Sequence, residues 1–66
     1  MIKFNLMAYL IDNELSLQDL ANKIGIQRHT LWHIRKRSTA KPSFIKRLRK
    51  FKSVYPIDVY ISGAKQ

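Results

Sequence analysis

The sequence predicts an all-α protein, a compact bundle of four to five short helices. Three observations carry this. Apolar residues recur at helical spacing in successive short blocks. Ser16, Gly25, Pro42 and Ser43 punctuate those blocks where helices start and stop. The chain has 66 residues and no Cys, so a disulfide framework or a thiolate metal site is excluded. A domain this short buries about 60% of the surface its unfolded chain exposes, so a second copy or a ligand would add useful stability.

In the first block, Leu6, Met7, Leu10 and Ile11 share one helical face. They place a helix near residues 4–13, with Asn5 and Asn13 marking its ends. Leu15 then turns inward. Ser16 opens a second helix as an N-cap to Asp19, which can reach back in an acidic variant of the capping box. Leu17, Leu20, Ala21 and Ile24 form its buried stripe, and Gly25 supplies a left-handed C-terminal residue. After Ile26, a third helix runs from about Arg28 to Lys36. Leu31 and Ile34 face inward with Thr30 beside them, and Arg28, His29, Trp32, His33 and Arg35 face outward. Gln27 is a weak cap for it.

Residues 37–43 read as a loop, with Pro42 disfavouring helix at Lys41 and Ser43 capping the next helix. Phe44, Ile45, Leu48 and Phe51 give this fourth helix, ending near Lys52–Val54. After Pro56, the run Ile57–Ile61 is compatible with a short helix or a short strand, the helix slightly favoured.

Charge narrows the function. The net charge is +9. Its distribution says more than the total. Before Arg28, Lys3 and Lys23 stand against Asp12, Glu14 and Asp19. From Arg28 to Lys52 there are ten basic residues and no acid. Concentration of one sign in the middle of the chain points to a polyanionic partner. No apolar run approaches the roughly 20 residues that span a bilayer, and the N-terminus lacks the pattern of a signal peptide. The expectation is a cytoplasmic protein.

The block from Ser16 to Ile34 carries the motif. Two short helices meet at a tight turn, with Ala21 small at their contact and Ile26, Leu31 and Ile34 pinning the second of them. The polar face of that helix is left outward, as in a helix-turn-helix. Over residues 4–52 the chain resembles the phage repressor and Cro family of Xre-type helix-turn-helix proteins. The Leu20-Ala21, Gly25-Ile26, Thr30-Leu31 and Ile34 spacing carries the resemblance, followed by Pro42-Ser43-Phe44. It implies a lambda repressor-like bundle of about five helices. It also implies operator binding as a dimer and transcriptional regulation in a phage or bacterial setting. Residues 1–62 then form the DNA-binding domain and 63–66 a flexible tail.

The chain departs from relatives at several positions. Leu17 stands where many have a phosphate-holding Gln. Leu10 and Arg35 replace an Arg–Glu pair that relatives place between the first and third helices. Arg37 replaces a Gly, and would be strained if that position needs a positive φ.

The resemblance implies that Arg28, His29 and His33 face base edges. Arg28 can donate twice to guanine, and an imidazole can donate to guanine or accept from adenine or cytosine amino groups. Gln27 and Trp32 adjoin them. Trp32 either meets thymine methyls and the sugar-phosphate wall or packs over the edge of the first or fourth helix. Leu17, Lys36, Arg37, Lys41, Ser43 and the amide of Phe44 are the candidate phosphate contacts. Val54, Tyr55, Ile57, Val59, Tyr60 and Ile61 are the candidate dimer interface, although some of them must close the core.

No cofactor, metal or small-molecule substrate is expected. Two histidines fall short of a zinc ligand set, the four acids are scattered, and no phosphate-cradling Gly loop exists. Enzymatic activity is not expected. Two rival readings remain. One is a protein-interaction module such as an antitoxin or antirepressor. The other is a membrane-active segment over Phe44–Val54, whose apolar residues the core needs.

Overall fold

The structure, a computed structural model, describes residues 1–61. The tail expected at residues 63–66 lies outside the described residues. Four α-helices form the body of the fold: α1, Leu6–Asp12; α2, Leu17–Ile24; α3, Arg28–Arg37; and α4, Pro42–Leu48. A 3-10 helix, η1, covers Ile57–Tyr60. The Cα radius of gyration of 10.7 Å matches the roughly 11 Å expected of a compact chain of this length.

The expectation of a purely α-helical chain needs correcting. Strand β1, Ile2–Lys3, pairs antiparallel with β2, Thr39–Ala40, placing Ile2 opposite Ala40 and Lys3 opposite Thr39. Beyond it, the Phe4 amide donates to the Ser38 carbonyl at 2.9 Å and the Asn5 amide to the Tyr60 carbonyl at 2.8 Å. Phe4 also forms an isolated bridge with Ile61. The start of the chain thus ties the α3–α4 connection to the segment after η1. Strands of two residues have no alternation to read.

Helix α1 is capped as its asparagines suggest. Asn5 Oδ1 accepts from the Ala8 amide at 3.1 Å, and Asn13 Nδ2 donates to the Tyr9 carbonyl at 2.8 Å. Its buried face is Leu6, Tyr9 and Leu10, spaced i, i+3, i+4. Met7 and Ile11, expected inward, are 45% and 66% exposed. The aromatic ring of Tyr9 takes the place assigned to them, packing 5.4 Å from Tyr60 and 6.1 Å from Phe4. Phe44 completes this cluster, 5.9 Å from Phe4. Each such ring buries enough apolar surface to contribute about 1.5–3 kcal/mol.

The capping box of α2 is formed. The Asp19 amide donates to Ser16 Oγ at 3.0 Å, and the Ser16 amide to Asp19 Oδ2 at 3.1 Å. The Ser16 amide, and after it the Ser16 hydroxyl, favours the ionised carboxylate and holds Asp19 below the usual carboxylate range. Leu20, Ala21 and Ile24 are buried. Gly25 ends α2 at φ +72°, where an added Cβ would meet nothing within 4 Å. Glycine is required here for its backbone, not for space.

Leu31 is fully buried and anchors α3, with Ile34 half-buried beside it. Thr30, placed beside these inward residues from the sequence, is exposed. The helix runs one residue further than the strain argument at Arg37 assumed. Arg37 is helical, and the left-handed residue is Ser38, at φ 57°. Pro42 stands at the first position of α4, where its missing N–H is no loss. The cap is Lys41, not Ser43. Helix α4 stops at Leu48, short of the expected Lys52–Val54; Phe51 then turns back, its amide donating to the Leu48 carbonyl at 3.0 Å. The segment after Pro56 combines both expectations: the 3-10 turn, then the bridge at Ile61.

Candidate nucleic-acid interface

Helix α3 stands as a ridge between two depressions. One is lined by Leu17, Arg28, His29, Trp32 and Arg35, between α3 and the start of α2. The other separates α3 from β2 and α4, and Thr30, His33 and Arg37 form its α3 wall. With Leu31 at the centre of the buried side, the 100° step per residue brings His29, His33 and Lys36 to the crest. Arg28, Trp32 and Arg35 fall on the flank nearer α2, and Thr30 and Arg37 on the flank nearer α4. Four of the expected base-reading residues thus share the outer side of α3, His29 and His33 on the crest and Arg28 and Trp32 on the flank nearer α2. Gln27 caps the helix through its backbone alone, its side chain making no cap bond.

The crest is internally ordered. His29 and His33 face each other with Nε2 atoms 3.0 Å apart, one nitrogen donating and the other accepting. The Trp32 ring lies edge-on to His33, centroids 5.2 Å apart, and Lys36 Nζ sits 4.9 Å from the indole centroid. Trp32 is 40% exposed. These partners lie on α3 itself, and the indole stands beside the crest, over the depression that Leu17 also lines. The His33 imidazole is held below its ordinary pKa by partial desolvation, then by the charges of His29, Arg37 and Lys36.

The candidate phosphate contacts lie on both sides of the ridge. Leu17 is half-buried at the first position of α2. The capping box occupies the amides of Ser16 and Asp19, which leaves those of Leu17 and Gln18 beside a carboxylate. On the other flank, Arg37, Lys41 and Ser43 line the second depression. Phe44 must be revised. Its side chain is buried, and its amide donates to the Lys41 carbonyl at 3.0 Å.

Two further cations have structural partners. Arg47 Nη1 donates to the Ile24 carbonyl at the end of α2, at 3.3 Å, a favourable place for a cation. Arg49 pairs with Asp58 at 2.7 Å. The acids are all engaged away from the ridge crest or lie in turns. Asp12 accepts from the Tyr60 hydroxyl at 2.8 Å, Asp19 caps α2, Asp58 holds Arg49, and Glu14 occupies a turn at φ 53°. Neither depression is lined by an acid.

The candidate dimer interface divides. Ile57 and Tyr60 are buried in the core and Ile61 is half-buried, because the 3-10 turn points them at α1. Val54, Tyr55 and Val59 remain 62%, 50% and 61% exposed. Among the described residues no group of three or more potential metal ligands forms, and no helix is long and apolar enough to cross a membrane. Sequence reasoning placed Ile26 and Ile34 in the core with Thr30 beside them, and missed that packing against Ala40 makes these residues line a depression. Comparison with known protein families, with curated proteins and with solved structures finds no match for this chain.

Proposed function

We propose that this chain is a sequence-specific, double-stranded DNA-binding regulator of the Cro-like repressor type. It inserts α3 into the major groove as the second helix of a helix-turn-helix. The observation that carries the reading is the acid-free crest of α3, flanked on both sides by cations. Arg28, His29, Trp32 and His33 present donors, acceptors and an aromatic edge. Lys36, Arg37, Lys41 and Ser43 stand where the groove walls would pass. A helix with its side chains is about 10–12 Å across, which suits a groove about 12 Å wide. The short α2–Gly25–α3 connection supports the same geometry.

One domain of this size covers a half-site. Two copies would address half-sites about 34 Å apart, and the exposed apolar side chains of Val54, Tyr55 and Val59 are the surface for that pairing. The cytoplasm of a bacterial cell or infected host is the compartment this implies. A partner protein in place of DNA, as for an antitoxin or antirepressor, is disfavoured by the segregated charge.

Selection of bound sites from random duplexes tests the proposal, read out for symmetry and spacing. A recovered half-site whose recognition is lost in His29→Ala and His33→Ala supports it. Equal loss on selected and random duplexes would remove the base-reading role.

A further inference from the structure

The depression between α3, β2 and α4 is more than a flank of the ridge. Its volume of about 480 Å³ falls within the range of small-molecule sites, roughly 300–1,000 Å³. Ile26, Ile34, Ala40 and Phe44 give it an apolar floor. Arg37, Lys41 and Arg47 stand at its rim. The bond from Arg47 Nη1 to the Ile24 carbonyl fixes that guanidinium while leaving its other N–H donors free. A double-stranded polyanion uses cations but has little use for an apolar floor. A neutral apolar molecule would use the floor but not the rim.

We propose that this groove binds a small amphipathic carboxylate. Its apolar body lies on the floor, and its carboxylate is held by Arg37, Lys41 and Arg47. Resting on the DNA-binding reading, the inference extends to regulation. Arg37, Lys41 and Ser43 belong both to the groove and to the phosphate-contacting flank, and His33 to both the groove and the crest. An occupant neutralises part of the flank, so ligand and duplex compete. For full exclusion, ligand at about 100 times its dissociation constant weakens duplex binding about 100-fold.

The test uses the full chain and 2-naphthoate as the probe, followed by amide chemical shifts in the absence of DNA. The expected result is saturable shifts centred on Ile34, Thr39 and Ala40, much weaker for the neutral naphthalene-2-methanol. Thr30→Trp, which fills the groove from an exposed position of α3, and Lys41→Glu, which reverses one rim charge, should each weaken the probe at least 10-fold. Shifts spread evenly over Lys46, Lys50 and Lys52 would mean nonspecific ion binding and would overturn the site, as would equal binding of the alcohol. A second titration adds the probe to the preformed duplex complex. Release in proportion to occupancy supports the competition, and unchanged duplex affinity at saturation refutes it. Because the first titration contains no DNA, failure of the DNA-binding reading leaves the groove result standing on its own.

Discussion

The salt dependence expected of the proposed duplex binding is set by which cations can reach phosphate. Ten basic residues lie between Arg28 and Lys52, but Arg49 is neutralised by Asp58, and Arg47, anchored on the end of α2, lines the groove from α4 and not from the α3 flank. Arg28, Arg35, Lys36, Arg37 and Lys41 lie on α3 or its connection to α4. Lys46, Lys50 and Lys52 lie beyond. A half-site complex therefore neutralises about five to eight phosphates, giving a slope of log K against log salt of about −4.5 to −7. Between about 50 and 200 mM salt this is a loss of roughly 500-fold to 20,000-fold, and each single contact accounts for about 3.5-fold of it. Lys41→Ala should reduce the slope by about 0.9. Arg49→Ala should leave it unchanged, since its partner is internal. Fluorescence anisotropy of a labelled duplex over that salt range measures both. Equal slope changes in the two variants, or a wild-type slope shallower than about −2, would refute the assignment of cations to the α3 flank.

Packing and titration give the other expectations. Leu31→Ala should cost about 2–5 kcal/mol, a large part of the roughly 3–10 kcal/mol available to a chain of this length, measured by urea unfolding. Gly25→Ala and Ser38→Gly should act with opposite sign. The first forces a Cβ into a left-handed turn at about 1–2 kcal/mol; the second relieves one, with a gain below about 1 kcal/mol after the added unfolded-state entropy. Burial, then the bond to Asp12, pushes the Tyr60 phenol up from 10.0 to about 12. Its folded pKa is raised, so its stabilisation is complete below pH 10 and lost as pH rises towards 12. Tyr60→Phe should reduce that alkaline loss, with the part due to Tyr9, also raised by burial, persisting. The His33 pKa is lowered from 6.5, so the unfolded chain takes up its proton first and stability falls as pH drops below that value. A bound phosphate favours the imidazolium, so duplex affinity should rise over the same interval. His33→Gln should flatten both trends, read by urea midpoints and anisotropy at each pH.

Much of the site was legible in the sequence because its signals are local. The Ser16–Asp19 box, the Gly25 turn and the outward set on α3 each follow from spacing within one helix, and the structure places them as expected. The misreadings came from contacts distant in sequence. On α1, Met7 and Ile11 looked like core because they share a helical face with Leu6 and Leu10, and Tyr9 was not singled out. The inward direction was decided by Phe4 and Tyr60, which meet Tyr9 only in the folded chain. The two strands pair residues far apart in sequence, Ile2 with Ala40 and Lys3 with Thr39, and the groove floor gathers residues from α3, β2, α4 and the turn after α2, so no period of any one segment announces them. Arg49 and Asp58 are nine positions apart on either side of an irregular turn, so their pairing was equally hidden.

The tie between β1 and β2 bears directly on the proposed function. Helix α3 has weak anchors of its own: Gln27 offers no side-chain cap, and Leu31 is its one fully buried residue. Its C-terminal end is instead held from outside. The Ser38 carbonyl accepts from Phe4, and Thr39 and Ala40 pair with Lys3 and Ile2. The Ser38 amide closes the helix on the Ile34 carbonyl at 2.8 Å. A helix that must keep a polar crest outward cannot gain rigidity by burying more of its own surface. It gains it from neighbours at each end, the Gly25 turn before it and the strand pair after it. Arg37, standing where the resemblance to Xre-type proteins implies a glycine, is accommodated in the same way. The left-handed turn moves one residue on, to Ser38, α3 keeps a further basic residue, and that residue becomes a wall of the groove.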